Sequence, residues 1–396
     1  MFPTDIVIVA GARTPMARYT GSFSEVSAID LGAHASRAAI QRSGIDPAEF
    51  DHAIFGNVMQ TSADAIYGAR HVALKAGLKM ETPAVTVNRL CGSGIESITQ
   101  AAQRLLLGEA SVVLAGGMEN MTQAPFVIRG ARTGLKLGGG ALEDFLFVGL
   151  TDSFCGLPMA LTAEKLAEQT GITRKDADSY ALRSQQAAET AFKAGHYKDE
   201  IVPVEVKQGR KTVLVSDDDH RRPETTLETL EKLPPSFQKD GIVTAGNASG
   251  IVDGAAAVVV TREKTAKERG VKPTGRIISW AVTGVDPSIM GIGPVPATRK
   301  ALQLAGMKLE QIDRIEVNEA FAAQYLAVEK ELGLDRAKTN VNGGAIALGH
   351  PLGATGTRLL ITLLNELRRK NLRFGLATAC IGGGQGIAMI VEALEN

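Results

Sequence analysis

The chain repeats itself, and this constrains its fold more than any other feature. Ala39-Ile40-Gln41, followed by Gly44 and Asp51, matches Ala301-Leu302-Gln303, followed by Gly306 and Asp313, at a constant offset of 262 (301 − 39). Both copies run into strand-like segments, near Ile54 and near Ile315. Further on, Val87-Asn88 precedes Cys91 and a helical pattern, as Val341-Asn342 precedes His350 and another. A repeated order of elements implies a repeated supersecondary unit that buries its apolar faces against its copy. The expectation is a pair of duplicated α/β halves. Cys91 and His350 then stand at equivalent places, each at a helix start, and can meet across a pseudo-twofold axis.

Strand-like runs alternate with helical ones, which reads as α/β. The clearest strands are Ile6 to Val9, Val112 to Ala115, Ala255 to Val260, Ile315 to Val317, Phe374 to Thr378 and Ile387 to Val391. After Cys91, the residues Ile95, Ile98, Ala102 and Leu105 recur at helical spacing, and a further helix is expected over about Gly356 to Leu367. A length of 396 residues exceeds one ordinary core. The expected division is a first half over 1–122 and 248–272, a second half over 273–396, and an inserted loop domain over 123–247. The insertion carries the Gly138-Gly139-Gly140 turn, the polar run Ser216 to Asp219, and a helix from about Arg174 to Phe192 opened by Thr173 and Asp176 in capping-box spacing. Such an insertion is a common source of a binding lid.

Several function classes are disfavoured. The 43 basic and 43 acidic residues cancel, so there is no global field to hold nucleic acid or an anionic membrane, and an anionic ligand must be held by local groups. No apolar run reaches the roughly 20 residues of a membrane span. Strand-like Ile6-Val7-Ile8-Val9 stands near the start with no signal-like apolar region before it, so secretion is not expected and a cytoplasmic setting, most simply a bacterial cytosol, is. The three cysteines Cys91, Cys155 and Cys380 lack CxxC spacing, and the six histidines form no HExxH pattern. No metal and no permanently bound cofactor are expected.

Four segments can carry chemistry. Cys91 lies in Asn88-Arg89-Leu90-Cys91-Gly92-Ser93-Gly94 just before an amphipathic helix, where unpaired N–H groups and the helix dipole favour a thiolate. A lone cysteine there is more often a small buried residue. His350 closes the glycine-dense run Asn342 to Gly349, too costly in chain entropy to lack a close backbone role. A phosphate loop fails on detail, since no Lys-Ser/Thr follows and the spacing is not GxGxxG. His350 can activate a thiol, donate to an oxyanion, or simply cap a turn. Cys380 ends a strand and opens Ile381-Gly382-Gly383-Gly384-Gln385-Gly386, again a thiol against bare amides unless the glycines only make a turn. Asn318, in Val317-Asn318-Glu319-Ala320-Phe321-Ala322, sits at a strand end where a polar side chain can enter a cleft or cap a turn. Cys155 and the remaining histidines read as structural, His220 with the weakest case.

Together these segments resemble the thiolase family, from Arg13-Thr14-Pro15 to Gly386 and in the family's order. The resemblance implies halves packed as helix–sheet–helix–sheet–helix, with an inserted loop domain and coenzyme A thioester substrates. By matching position it implies Cys91 as the nucleophile that takes the acyl group and His350 as its base and an oxyanion donor. Cys380 is then the acid/base at the α-carbon, and Asn318 positions a water in the first oxyanion hole. The backbone N–H groups of Cys91 and Gly382 make the second hole. Arg222, Thr225 and Ser249 match positions that hold coenzyme A, and Met159 joins this binding set. The implied partners are acetyl-CoA, acyl-CoA, 3-ketoacyl-CoA and CoA, and the implied assembly is a homotetramer, as a dimer of dimers, or a homodimer. Short-chain biosynthetic members carry His-Met-Gly where this chain has Pro158-Met159-Ala160, so the stretch to Glu164 is more similar to the 3-ketoacyl-CoA branch best known from mitochondria. A ketosynthase of the same superfamily usually lacks the second cysteine, and a non-catalytic acyl-CoA carrier has no use for two reactive thiols; Cys380 argues against both.

Overall fold

The computed structural model describes residues 5–394; the outer ends of the expected halves, 1–4 and 395–396, lie outside the described residues. The first half of the chain contributes β1 (Ile6–Arg13), α1 (Ala28–Ser43), β2 (His52–Gly56), β3 (Ala84–Val87), α2 (Ser93–Leu106) and β4 (Val112–Glu119). After α3 (Met159–Thr170) and α4 (Arg174–Lys193) comes β5 (Val252–Arg262). Then follow β6 (Gly275–Gly284), α5 (Pro294–Ala305), β7 (Arg314–Val317), α6 (Ala322–Leu332), α7 (Leu352–Arg369), β8 (Phe374–Ile381) and β9 (Gln385–Ala393). Every strand read from the sequence is present and longer than read, because the apolar run ends before the ladder does.

The duplication is visible in the pairing. Strand order is β7-β8-β9-β6-β1-β5-β4-β2-β3, so β1-β5-β4-β2 mirrors β6-β9-β8-β7 outward from the middle. Within each set the inner two pairings are antiparallel and the third parallel. In the central sheet the two sets of strands join where β1 meets β6, through Val7↔Arg276 and Ile8↔Gly275.

The residues that disclosed the repeat do equivalent work. Gly44 and Gly306 end α1 and α5 at φ 70° and 65°, the left-handed conformation that a side chain resists. Asp51 Oδ2 accepts from the backbone N–H groups of Ser111 and Val112 (2.7 and 3.1 Å); Asp313 Oδ2 accepts from those of Arg373 and Phe374 (3.0 and 2.9 Å). The donating residues are again 262 apart (373 − 111). Each aspartate pins the start of the central strand of its half.

Five layers result. The middle layer is α2 and α7, whose Ile95, Ile98, Leu359 and Leu363 lie between the inner faces of both sheet halves, against Val258 and Met389. The outer faces are covered by α1 on one side, through Ile29 and Leu31, and by α5 and α6 on the other, through Val295 and Tyr325. The segment between β4 and β5 is tied down by Arg13 of β1, fully buried, whose guanidinium donates to Asp218 (2.7 Å) and Glu200 (2.8 Å). The expected capping box at Thr173 and Asp176 is formed.

Candidate active site

The two central helices start beside one another because their first turns lack side chains. A Cβ on Gly94 would stand 2.5 Å from the Thr357 amide nitrogen, and one on Gly356 would strike Ile95. Thr357 Oγ1 donates to the Gly94 carbonyl at 3.0 Å. Only glycines permit this approach, and it brings the loop before α2, with Cys91, toward the loop before α7, with His350.

Cys91 occupies a single 3₁₀ turn, Leu90–Gly92, that feeds α2. The turn is fixed locally: Asn88 Oδ1 accepts from the Leu90 N–H (3.0 Å), and Ser93 Oγ accepts from the Arg89 N–H (2.8 Å) while donating to the Leu90 carbonyl (2.7 Å). Leu90 is held at φ 46°, an uncommon conformation for a leucine. Gly92 lies under Ile381 and Ile387, which brings the β8–β9 connection onto the nucleophile turn. From that connection the Gly382 N–H donates to Cys91 Sγ. Arg89 reinforces the contact by donating to Glu96 (2.8 Å) and Gln385 (3.0 Å).

Cys380 is fully buried near the end of β8, among Met290 and Ala320, with Met159 and Phe321 packed against them. Burial, and then the neighbouring Cys91, raise its thiol well above the usual range. Met159 Sδ lies 3.2 Å from where a Cβ on Gly382 would stand, so an apolar wall faces both thiols.

His350 is buried, and its hydrogen bonds select a tautomer. Nδ1 lies 2.6 Å from Thr355 Oγ1, which itself donates to the Pro351 carbonyl at 2.9 Å. With its proton committed, Thr355 accepts from Nδ1–H, leaving Nε2 unprotonated. Asn318 Nδ2 faces that nitrogen at 3.3 Å, and the buried Asn318 Oδ1 has no hydrogen-bond partner among the described residues. A free buried acceptor is costly unless something meets it, which fits the water-positioning role implied for Asn318. Burial, then Arg358, lower the His350 pKa from 6.5 to about 3.

The expectation of a thiolate at Cys91 is corrected here. Burial outweighs the N–H groups of Gly382 and Cys91 itself, and the carboxylate of Glu119 opposes charge as well; the thiol rises to about 11. A helix start favours an anion, but removal from water costs it more. The resting pair is therefore neutral cysteine and neutral imidazole.

Of the expected coenzyme A contacts, Ser249 and Met159 adjoin the thiols and His350. The Ser249 N–H donates to the Ala320 carbonyl (3.0 Å), and the next carbonyl, Gly250, accepts from the His350 N–H (2.9 Å). Arg222 and Thr225 stand farther out on a turn closed by Thr225 Oγ1 donating to the Arg222 carbonyl (2.8 Å), with Arg222 exposed. Cys155 is half-buried, in the loop between Asp152 and Leu157. His220 packs its ring against Gly250, and burial, then Arg222, lower it to about 4.

Three supporting residues escaped the sequence reading. Thr355 fixes the imidazole. Glu319 accepts from Tyr180 (2.7 Å), Ser184 (2.7 Å), Asn340 (2.9 Å) and the Ile346 N–H (3.1 Å), tying the glycine-dense loop to α4. Glu119, fully buried at the end of an otherwise apolar strand, was the most legible of the three, because an acid at such a place must be paired. Among the described residues no group of three or more His, Cys, Asp or Glu could hold a metal ion, and no helix is long and apolar enough to cross a membrane.

The chain is similar over nearly its whole length to known proteins. The thiolase N-terminal domain model matches residues 6–264 and the thiolase C-terminal domain model residues 271–393. The chain is 53% identical over 391 residues to human mitochondrial 3-ketoacyl-CoA thiolase, covering 98% of each. It is 50% identical over 387 residues to an acetyl-CoA acetyltransferase of Pseudomonas aeruginosa, covering 97% of this chain and 98% of that one. The crystal structure of the human mitochondrial enzyme in complex with CoA superposes with a TM-score of 0.96 at 52% identity, covering 99% of this chain and 98% of that one.

Proposed function

The chain belongs to the thiolase family, and from that premise we propose how its own residues divide the chemistry. As a thiolase it is an acyl-CoA C-acyltransferase: it condenses acyl-CoA with acetyl-CoA or, in reverse, cleaves 3-ketoacyl-CoA with CoA, the carbon–carbon cleavage of β-oxidation.

In the synthetic direction Cys91 Sγ attacks the acyl thioester carbonyl while its proton passes to His350 Nε2. A thiol near pH 11 and an imidazole near pH 3 exchange that proton only as the carbon–sulfur bond forms. The tetrahedral oxyanion is met by the N–H groups of Cys91 and Gly382, each donor supplying roughly 3–4 kcal/mol. Collapse expels CoA thiolate, which takes the Cys380 proton, and leaves an S-acyl enzyme with the Cys91 proton held on His350 Nε2. Cys380, deprotonated at this stage, then takes a proton from the α-carbon of acetyl-CoA. The enolate oxygen is stabilised by His350 Nε2–H and by a water on Asn318. The carbanion attacks the Cys91 thioester, the carbon–sulfur bond breaks, the Cys91 thiolate recovers its proton from His350 Nε2, and 3-ketoacyl-CoA is released with the α-proton left on Cys380.

The observation that carries this reading is the convergence of four chain segments: Gly382 donates to Cys91 Sγ, Cys380 lies two residues before it, and Asn318 faces His350 Nε2. Arg222, Thr225, Ser249 and Met159 are read as the coenzyme A and acyl contacts, 123–247 as a lid, and 1–122 with 248–272 and 273–396 as the two halves. No permanent cofactor or metal enters any step. Two working thiols and no disulfide suit a reducing cytosol, bacterial for preference. The half-buried outermost strand β3 and the exposed Leu135, Leu137 and Leu142 support a homodimer or a homotetramer. Thiolysis of acetoacetyl-CoA tests the reading. The wild type releases two acetyl-CoA per turnover, Cys91→Ala releases none, and a Cys91→Ala protein that still turned over would overturn it.

A further inference from the structure

Glu119 ends β4 with its carboxylate surrounded by four donors. Oε1 accepts from Asn57 Nδ2 (2.9 Å) and the Met59 N–H (3.0 Å), and Oε2 from the N–H groups of Val58 (3.1 Å) and Gly353 (2.9 Å). Three of these belong to the loop after β2. The fourth is in the first turn of α7, three residues after His350. Gly353 is placed by the same contacts: a Cβ there would lie 2.6 Å from the Met118 carbonyl, 2.8 Å from the Gly56 carbonyl and 3.1 Å from Glu119 Oε2. One carboxylate therefore clamps the His350 helix of the second half onto the end of a central strand of the first. Its charge also reaches Cys91, where it opposes the thiolate. No basic side chain pairs with it in these bonds, and the step-by-step chemistry above makes no use of it.

We propose that Glu119 is the positioning residue of this site, its carboxylate setting where His350 stands and bearing as a charge on Cys91. This rests on the assignment of Cys91 and His350 as the reacting pair. The chemical logic is that of an anion at a helix start, which fixes the first turn of α7 through N–H donors. Fully buried, it is pushed by desolvation up to about 7, with Asp253 adding to the shift and the Met59, Gly353 and Val58 N–H groups opposing it. A group so buried is kept for its contacts rather than for solvation.

The test uses full-length Glu119→Gln and Glu119→Asp with acetoacetyl-CoA thiolysis and pH-resolved iodoacetamide labelling, mapped by peptide mass. Glu119→Gln keeps the shape, removes the charge and turns an NH2 toward two of the N–H donors. The expected result is a kcat about 10- to 100-fold lower with KM within about 3-fold, and Cys91 labelling at pH 8 about 3- to 10-fold faster than wild type. Glu119→Asp keeps the charge at shorter reach, so labelling should return to the wild-type rate while kcat stays low; it also carries the test if the glutamine variant does not fold. Unchanged kcat, a loss confined to KM, or labelling that fails to follow the charge would each overturn the proposal. Failure of the underlying assignment looks different: wild-type labelling that inactivates would then map to a cysteine other than Cys91.

Discussion

His350 shows how a single side chain can be specified by partners that share no motif with it. Thr355 settles which nitrogen is left unprotonated, and Asn318 faces that nitrogen. Thr355→Val should therefore lower kcat about 10- to 100-fold, while His350→Asn, which loses the base itself, should lower it about 100- to 10,000-fold. Steady-state rates of both variants check the order; a larger loss in Thr355→Val than in His350→Asn would contradict it. His350 also predicts a pH effect on stability. Its folded pKa is depressed to about 3 from 6.5, so the unfolded state binds the extra proton between those values. The stability contributed by keeping it neutral is full above pH 6.5 and lost as pH falls toward 3, with a slope of at most about 1.4 kcal/mol per unit. Urea midpoints at pH 7, 6 and 5 should fall less steeply for His350→Asn than for wild type. Equal slopes would mean that the imidazole is not held neutral. The four residues proposed to react were legible because glycine-dense loops and a thiol before a helix leave local marks. The direction of the Cys91 shift was not, because its burial is a sum over Met59, Met121, Leu146 and Leu352, far apart in sequence.

At the scale of elements, the constant offset of 262 carried most of the fold into view. Gly44 with Gly306, and Asp51 with Asp313, keep the same backbone duties in both halves, so the same residue types recur. Helix α4 announced itself through its capping box, whereas the short pairings of the insertion left no period to read. What sequence spacing could not show was how close α2 and α7 come. The prediction is that Gly356→Ala, whose methyl meets Ile95, destabilises the protein by about 1–3 kcal/mol through overpacking. It should also lower kcat, since it separates the turns bearing Cys91 and His350. Thermal melts and thiolysis rates check both; a variant as stable and as active as wild type would show that the helix contact is looser than described.

At the scale of the whole molecule, two halves meet through α2 and α7, and the site forms where their starts face each other. Neither half alone holds Cys91, Cys380, His350 and Asn318, so the proposed chemistry draws on both. The wall formed by Met159, Met290 and Phe321 is apolar and lacks the histidine that short-chain biosynthetic members place before the methionine. Turnover is expected on acetoacetyl-CoA and on medium-chain 3-ketoacyl-CoAs; rejection of six-carbon and longer substrates in a steady-state survey would contradict this. The central claim is that two thiols divide the work, Cys91 carrying the acyl group and Cys380 the α-proton. Its most direct test is Cys380→Ser, assayed in parallel for transfer of radiolabelled acetyl to the protein and for deuterium exchange into acetyl-CoA. A serine hydroxyl nearly fits the space but is too weak an acid to trade that proton near neutral pH, so acetyl transfer should persist while exchange falls about 100- to 10,000-fold. Equal loss of both signals, or loss of neither, would contradict the division of labour.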